Sequence, residues 1–126
     1  MIKSLLFVFL GGGLGSCLRF AFSLWMNTGQ IKWIPTLIVN VMGCLLLGSL
    51  LALNDKSQLS ESVFLLLAIG FCGGLTTFST FSAELYFLIK QTDYMQAVLY
   101  FSLSSALGIT AVLISYQLVK YIGIAQ

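Results

Sequence analysis

Ten charged side chains, six basic and four acidic, are spread so thinly along this chain that the gaps between them decide the fold. Ile34 to Leu53 gives twenty residues without a charge. At about 1.5 Å per residue such a helix crosses about 30 Å, the depth of a bilayer's hydrocarbon. Ser62 to Ala83 is again free of charge and extends to Ile89 past the single carboxylate Glu84, and Tyr94 to Val119 forms a fourth stretch. The first, Met1 to Met26, is interrupted only by Lys3 and Arg19. The intervals Asn27 to Trp33, Asn54 to Glu61 and Lys90 to Asp93 leave room for turns alone. The expected fold is an all-α membrane protein, residues 1–126 forming one domain of four transmembrane helices. An even number of crossings puts both termini on the same side.

Composition excludes most other classes. Soluble domains carry about 25% charged residues, and this chain has 8%, with 59% hydrophobic. No small-residue cleavage motif ends the first apolar stretch, so it is read as a retained span rather than a secretory signal. A net charge of +2 gives no basis for binding nucleic acid. Cys17, Cys44 and Cys72 lie in apolar runs without metal-ligand spacing and read as small buried hydrophobes. With no histidine, no paired carboxylates and no nucleophile–base set, the chain is not read as an enzyme.

The few charges that exist bear on topology. The side holding the termini and the second connection carries Lys3, Lys56 and Lys120, and the opposite side carries Arg19, Lys32 and Lys90. Orientation follows the Lys/Arg imbalance between sides, and three against three leaves none. Insertion both ways up is expected, and the natural oligomer of such a chain is an antiparallel homodimer with its two-fold axis in the membrane plane. Four helices also enclose no wide water-filled path by themselves. Gly11 and Gly15 in "GGGLGS", and Cys44 with Gly48, have the small-xxx-small spacing that lets membrane helices approach closely. These are the expected oligomer surfaces.

The stretch "GFCGGLTTFSTF" (Gly70 to Phe81) sits in the third span and fits poorly with a plain lipid-facing helix. Gly73 and Gly74 near mid-span predict a break there, which frees backbone groups that hydrocarbon cannot satisfy. Half-helix ends at mid-membrane are a recurring way to build ion sites. Two such breaks facing each other across an in-plane axis would bring carbonyls together, and a monovalent cation would answer them. Phe78 and Phe81 are spaced i, i+3, with Ser79, Thr80 and Ser82 beside them. A ring's positive edge suits a small anion without titrating; the alternative is packing alone. Asn40 is an isolated mid-span amide, either an anion donor or a helix–helix hydrogen bond. Arg19, about 22 Å along its helix from Ser4, is expected near the far interface as a vestibule charge.

Together these segments resemble the Fluc family of small fluoride channels, over essentially the whole chain. "GGGLGSCLRF" is similar to the family's first-span motif, "TLIVNVMG" to its second and "GFCGGLTTFSTFSAE" to its third, the last being long and specific. The resemblance implies a passive fluoride-selective channel in the cell's inner (plasma) membrane that exports fluoride from the cytoplasm. It also implies an antiparallel, dual-topology homodimer with two pores and a central structural sodium ion. Phe78, Phe81 and Asn40 would then be pore residues, Glu84 a pore-end carboxylate, and Tyr100 and Ser104 part of a polar track on the fourth span. The carbonyls of Gly73 and Thr76 would hold the sodium. Pro35 departs from the family's usual glycine before "TL" but is tolerated at a helix start. A small multidrug transporter needs a first-span carboxylate, and here that span has Arg19 instead. An accessory subunit would have no use for the Phe and Asn pattern.

Overall fold

The computed structural model describes residues 1–26 and 31–122, so most of the expected first connection lies outside the described residues. Helix α1 runs Ile2–Met26 and α2 Ile34–Asp55, with Pro35 in its first turn, where a missing N–H breaks no helical bond. The third span is assembled from α3 (Glu61–Phe64), a π-helix (Leu65–Cys72), α4 (Gly73–Leu75) and α5 (Phe78–Lys90). Helix α6 covers Tyr94–Ile122. All four crossings are long and apolar enough to traverse a bilayer, which makes this a multi-pass membrane protein. Large side chains such as Phe9, Trp25, Met95 and Tyr121 face outward, as lipid contact allows.

Local chemistry sets the ends. Ser60 opens the third span by accepting the Val63 amide at 3.4 Å, and Glu61 lies at the positive end of the helix dipole. Ser57 and Thr92, both with positive φ, end α2 and α5 in left-handed turns. At one end of the bundle Lys56 Nζ donates to the Val119 and Lys120 carbonyls, both at 3.1 Å, tying α2 to the close of α6.

The break in the third span is real but displaced. Gly73 is helical (φ −63, ψ −35), and the chain leaves the helix at Thr76 (φ −79, ψ 153) and Thr77 (φ −148, ψ 117). The glycines serve close packing instead. A Cβ on Gly74 would overlap the Gly12 carbonyl, and one on Gly70 would come within 2.8 Å of the Val8 carbonyl.

The same accounting corrects the expected oligomer surfaces. A side chain at Gly11 or Gly15 would drive into the backbone of Leu66 or Phe71, so this GxxxG pair seats α1 on the third span of its own chain. Gly48 meets Ser115 and Val112 of α6, also within the chain. Cys72 is buried as expected and Cys44 half-buried, whereas Cys17 is exposed on the outside of α1.

Candidate functional site

The break leaves the third span with backbone groups that lack helical partners, and α1 and α2 each supply one. Asn40 Oδ1 accepts the Thr77 N–H at 2.8 Å, and its Nδ2 lies 3.4 Å from the Thr77 carbonyl. One amide thus holds both polar groups of the extended residue, so the helix–helix alternative for Asn40 is realised. Leaving such a buried N–H unpaired costs about 1–3 kcal/mol. Arg19 Nε donates to the Gly74 carbonyl at 3.2 Å, with Ser16 Oγ at 3.4 Å from the same oxygen. This corrects its expected place at the far interface: the guanidinium reaches back to the break. The basic residues that remain near the span ends are three on one side and Lys32 and Lys90 on the other.

Thr77 then opens α5 as its N-cap, accepting the Thr80 amide at 3.1 Å. Its hydroxyl also lies 3.1 Å from that of Thr80 and 3.2 Å from that of Ser79. Both hydroxyls expected along the path are therefore engaged in the cap. Sequence reasoning passed over Thr77 in this role, although "TTFST" carries the capping spacing, a threonine three residues before another hydroxyl.

Beside the break runs a groove of about 520 Å³, whose walls include Asn40, Gly73, Thr76, Phe78, Phe81, Ser104 and Ser105. No charged side chain lines it among the described residues. Phe78 and Phe81 stand 5.7 Å apart between ring centres and 39° from parallel. They differ sharply in burial: Phe78 is 80% exposed on the groove's rim, and Phe81 is 7% exposed and packs into the core. Ser104 is the distinctive polar atom. Ser49, Ser82 and Ser115 each return their hydroxyl to the carbonyl four residues earlier. Ser104 Oγ is buried and, among the described residues, is the side-chain polar atom left without a hydrogen-bond partner.

Glu84 and Tyr100 lie away from the groove. Glu84 accepts Thr36 Oγ1 at 2.8 Å on one oxygen and the Tyr100 hydroxyl at 2.7 Å on the other. Tyr100 is fully buried, stacked on Trp33 at 4.8 Å and edge-on to Phe81 at 5.0 Å. Thr36 was missed from sequence, though it precedes Asn40 by one helical turn and so shares its face. Glu84 borders a second cavity of about 450 Å³, between the start of α2, the end of α5 and the start of α6. Trp33, Lys32, Asp93 and Gln96 also line it.

Residues 6–116 match the family model described as "CrcB-like protein, Camphor Resistance (CrcB)". A protein of Azobacteroides pseudotrichonymphae named "Fluoride-specific ion channel FluC" is 40% identical over 96% of this chain and 99% of its own length. One of Serratia proteamaculans with the same name is 42% identical over 97% of this chain and 98% of its own. Another, of the more distant Ignicoccus hospitalis, is 34% identical over 94% and 97%. These matches span the groove, the break and all four crossings, and the relatives are named for conducting an ion, not for catalysing a reaction. This chain belongs to the CrcB-like family of fluoride-specific ion channel proteins.

Proposed function

We propose that the protein is a passive fluoride-selective channel that lets fluoride leave the cytoplasm through the cell's inner membrane. The observation that carries this reading is the unpaired Ser104 hydroxyl in a groove shared with Asn40, Phe78 and Phe81. A buried donor without an acceptor is costly, and a small anion is an acceptor of the right kind. The phenyl edges add weak attraction without a fixed charge that would trap the ion. The absence of a charged side chain along the groove leaves nothing there to exchange a proton with the ion. Conduction therefore follows the membrane potential. The names of the relatives point to the same ion.

The assembly belongs to the same proposal. The groove is open along one side of the chain, and an antiparallel second copy would close it, giving two pores per dimer. The near balance of basic residues between the two sides suits insertion both ways up. At Gly73 and Thr76 the donor set fits a monovalent cation. The Thr77 amide that would satisfy the Gly73 carbonyl is taken by Asn40, and the Thr80 amide that would satisfy Thr76 is taken by the Thr77 hydroxyl. Gly73 itself faces open space. Carbonyls of both residues from two copies would hold a structural sodium ion, whose chemistry is to neutralise these oxygens at the centre of the dimer.

Liposomes containing only the purified protein and loaded with potassium fluoride test the reading. Adding a potassium ionophore should release fluoride without a proton gradient, while chloride stays inside. Equal release of both anions, or release that requires a proton gradient, overturns it.

A further inference from the structure

We infer that Trp33 is a selectivity-determining residue, the fixed outer leaf of an aromatic partition that separates the groove from the cavity behind it. This rests on the conduction reading above and extends it to a residue outside the third-span signature.

Three rings stand in series between the two spaces. Phe81 lines the groove, Trp33 lines the second cavity, and Tyr100, with no exposed surface, lies between them and borders neither. Ring centres are 5.0 Å apart from Phe81 to Tyr100 and 4.8 Å from Tyr100 to Trp33. These are contact distances for aromatic pairs, so no anion passes between the rings as they stand. The three form the buried centre of one hydrophobic cluster, with Leu37, Leu85 and Leu103 packed around it. On the far side of the partition the lining changes character: Glu84, Lys32, Asp93 and Gln96 border the second cavity, and no charged side chain borders the groove.

The outer leaf is held from outside the core. Trp33 Nε1 donates to Gln96 Oε1 at 3.1 Å. Gln96 is fixed in turn, its Nε2 donating to Asp93 Oδ2 at 2.7 Å and its backbone N–H to Asp93 Oδ1 at 3.2 Å. The indole is thereby pinned by one side chain at the start of α6, which has no other evident reason to be so restrained. An ion leaving the groove along this face must pass rings held by that tether, so the tether sets how large an ion the passage admits. Fluoride is the smallest halide, and a pinned partition favours it over chloride.

Gln96→Leu removes the tether without touching any ring, and Trp33→Phe removes the donor while keeping an aromatic leaf. Both are measured in the same liposome assay as the unaltered protein, for fluoride and for chloride. Chloride release should rise at least roughly tenfold relative to fluoride in both variants. If fluoride leaves the liposomes but both variants keep the unaltered chloride exclusion, the partition does not set selectivity and the inference fails. If one variant does not yield folded protein, the other decides by the same criterion. Absence of fluoride release from the unaltered protein would instead sink the conduction reading, a distinguishable result.

Discussion

The two halves of the third span are held in place by different physics. Its first half, up to Leu75, lies against α1 backbone to backbone, with Gly11, Gly15, Gly70 and Gly74 as the points of approach. The second half, Phe78–Lys90, buries only Phe81 and is tied to its neighbours by hydrogen bonds, from Asn40 to Thr77 and from Thr36 and Tyr100 to Glu84. In lipid, burying an apolar side chain gains little, so helices associate through close packing and polar links. One half uses the first, the other the second. The difference has a consequence for the molecule: a face sealed by backbone contact leaves no space, whereas a face held by a few polar links leaves a groove open beside it.

The largest expected effect comes from adding bulk to the sealed face. Gly15→Val would push against the Phe71 carbonyl and the Leu75 amide, backbone atoms that have no rotamer to yield. Overpacking of this kind costs about 1–3 kcal/mol, or more when backbone must move. Gly15→Val is expected to yield no monodisperse protein on size-exclusion chromatography in detergent. Gly13→Ala, with nothing within 4 Å of its added carbon, should elute unchanged. Gly73→Ala sharpens the contrast, because within one chain it also meets open space. It should fold, and under the proposed assembly it should elute as a monomer. A folded, unaltered Gly15→Val protein would mean that the close approach of α1 is not what holds the first half.

How far the sequence carried this arrangement depends on which physics was at work. Charge-free lengths fixed the four crossings to within a few residues, because the hydrocarbon thickness leaves little latitude. The break was also legible, but "GG" misplaced it. Glycine marks both flexible backbone and close approach, and at Gly74 the second meaning applies, which only the position of Gly12 reveals. The Gly11–Gly15 pair was misassigned to an oligomer surface for the same reason: spacing shows that a helix will be approached, not by which neighbour. Arg19 was placed by helix length, which locates its Cα and says nothing of where a long side chain reaches. Asn40, Phe78, Phe81 and Ser104 were found from residue type, and the structure gathers all four on one groove. Glu84 and Tyr100 were grouped with them, and their mutual hydrogen bond joins residues sixteen apart that no periodicity connects.

The two pore phenylalanines offer a second, smaller test, within the open half alone. Phe81 touches Tyr100 and lies in the core, so Phe81→Ile should lower stability by about 1–2 kcal/mol, through lost packing and the lost edge contact. Phe78, on the rim, contributes little to a single chain, and Phe78→Ile should leave the thermal midpoint within about 0.5 kcal/mol of equivalent stability. Under the proposed function both should cut fluoride release roughly tenfold, since each removes a ring edge from the groove. Phe78→Ile is the informative one because its loss of flux cannot be ascribed to unfolding. Unaltered flux in that variant would confine the anion's path to the buried wall.

The smallest effect is expected at Glu84, where the open half is anchored to α2 and α6. The carboxylate accepts two hydroxyl hydrogens, from Thr36 and from Tyr100, and donates none. In Glu84→Gln the amide oxygen can keep the Tyr100 bond while the amide nitrogen donates to Thr36, whose hydroxyl turns to accept. Both links survive, reduced from charge-assisted to neutral strength, a loss of about 1 kcal/mol. Fluoride release should therefore stay within about threefold of the unaltered protein. Glu84→Leu removes both acceptors and strands the Tyr100 hydroxyl in a fully buried position, which costs about 1–3 kcal/mol and loosens α5 at its outer end. Its release should fall further than that of Glu84→Gln. Equal, complete loss of flux in both variants, with the fold retained, would show that the negative charge itself acts on the ion, and that hydrogen bonding alone does not account for this end of the span.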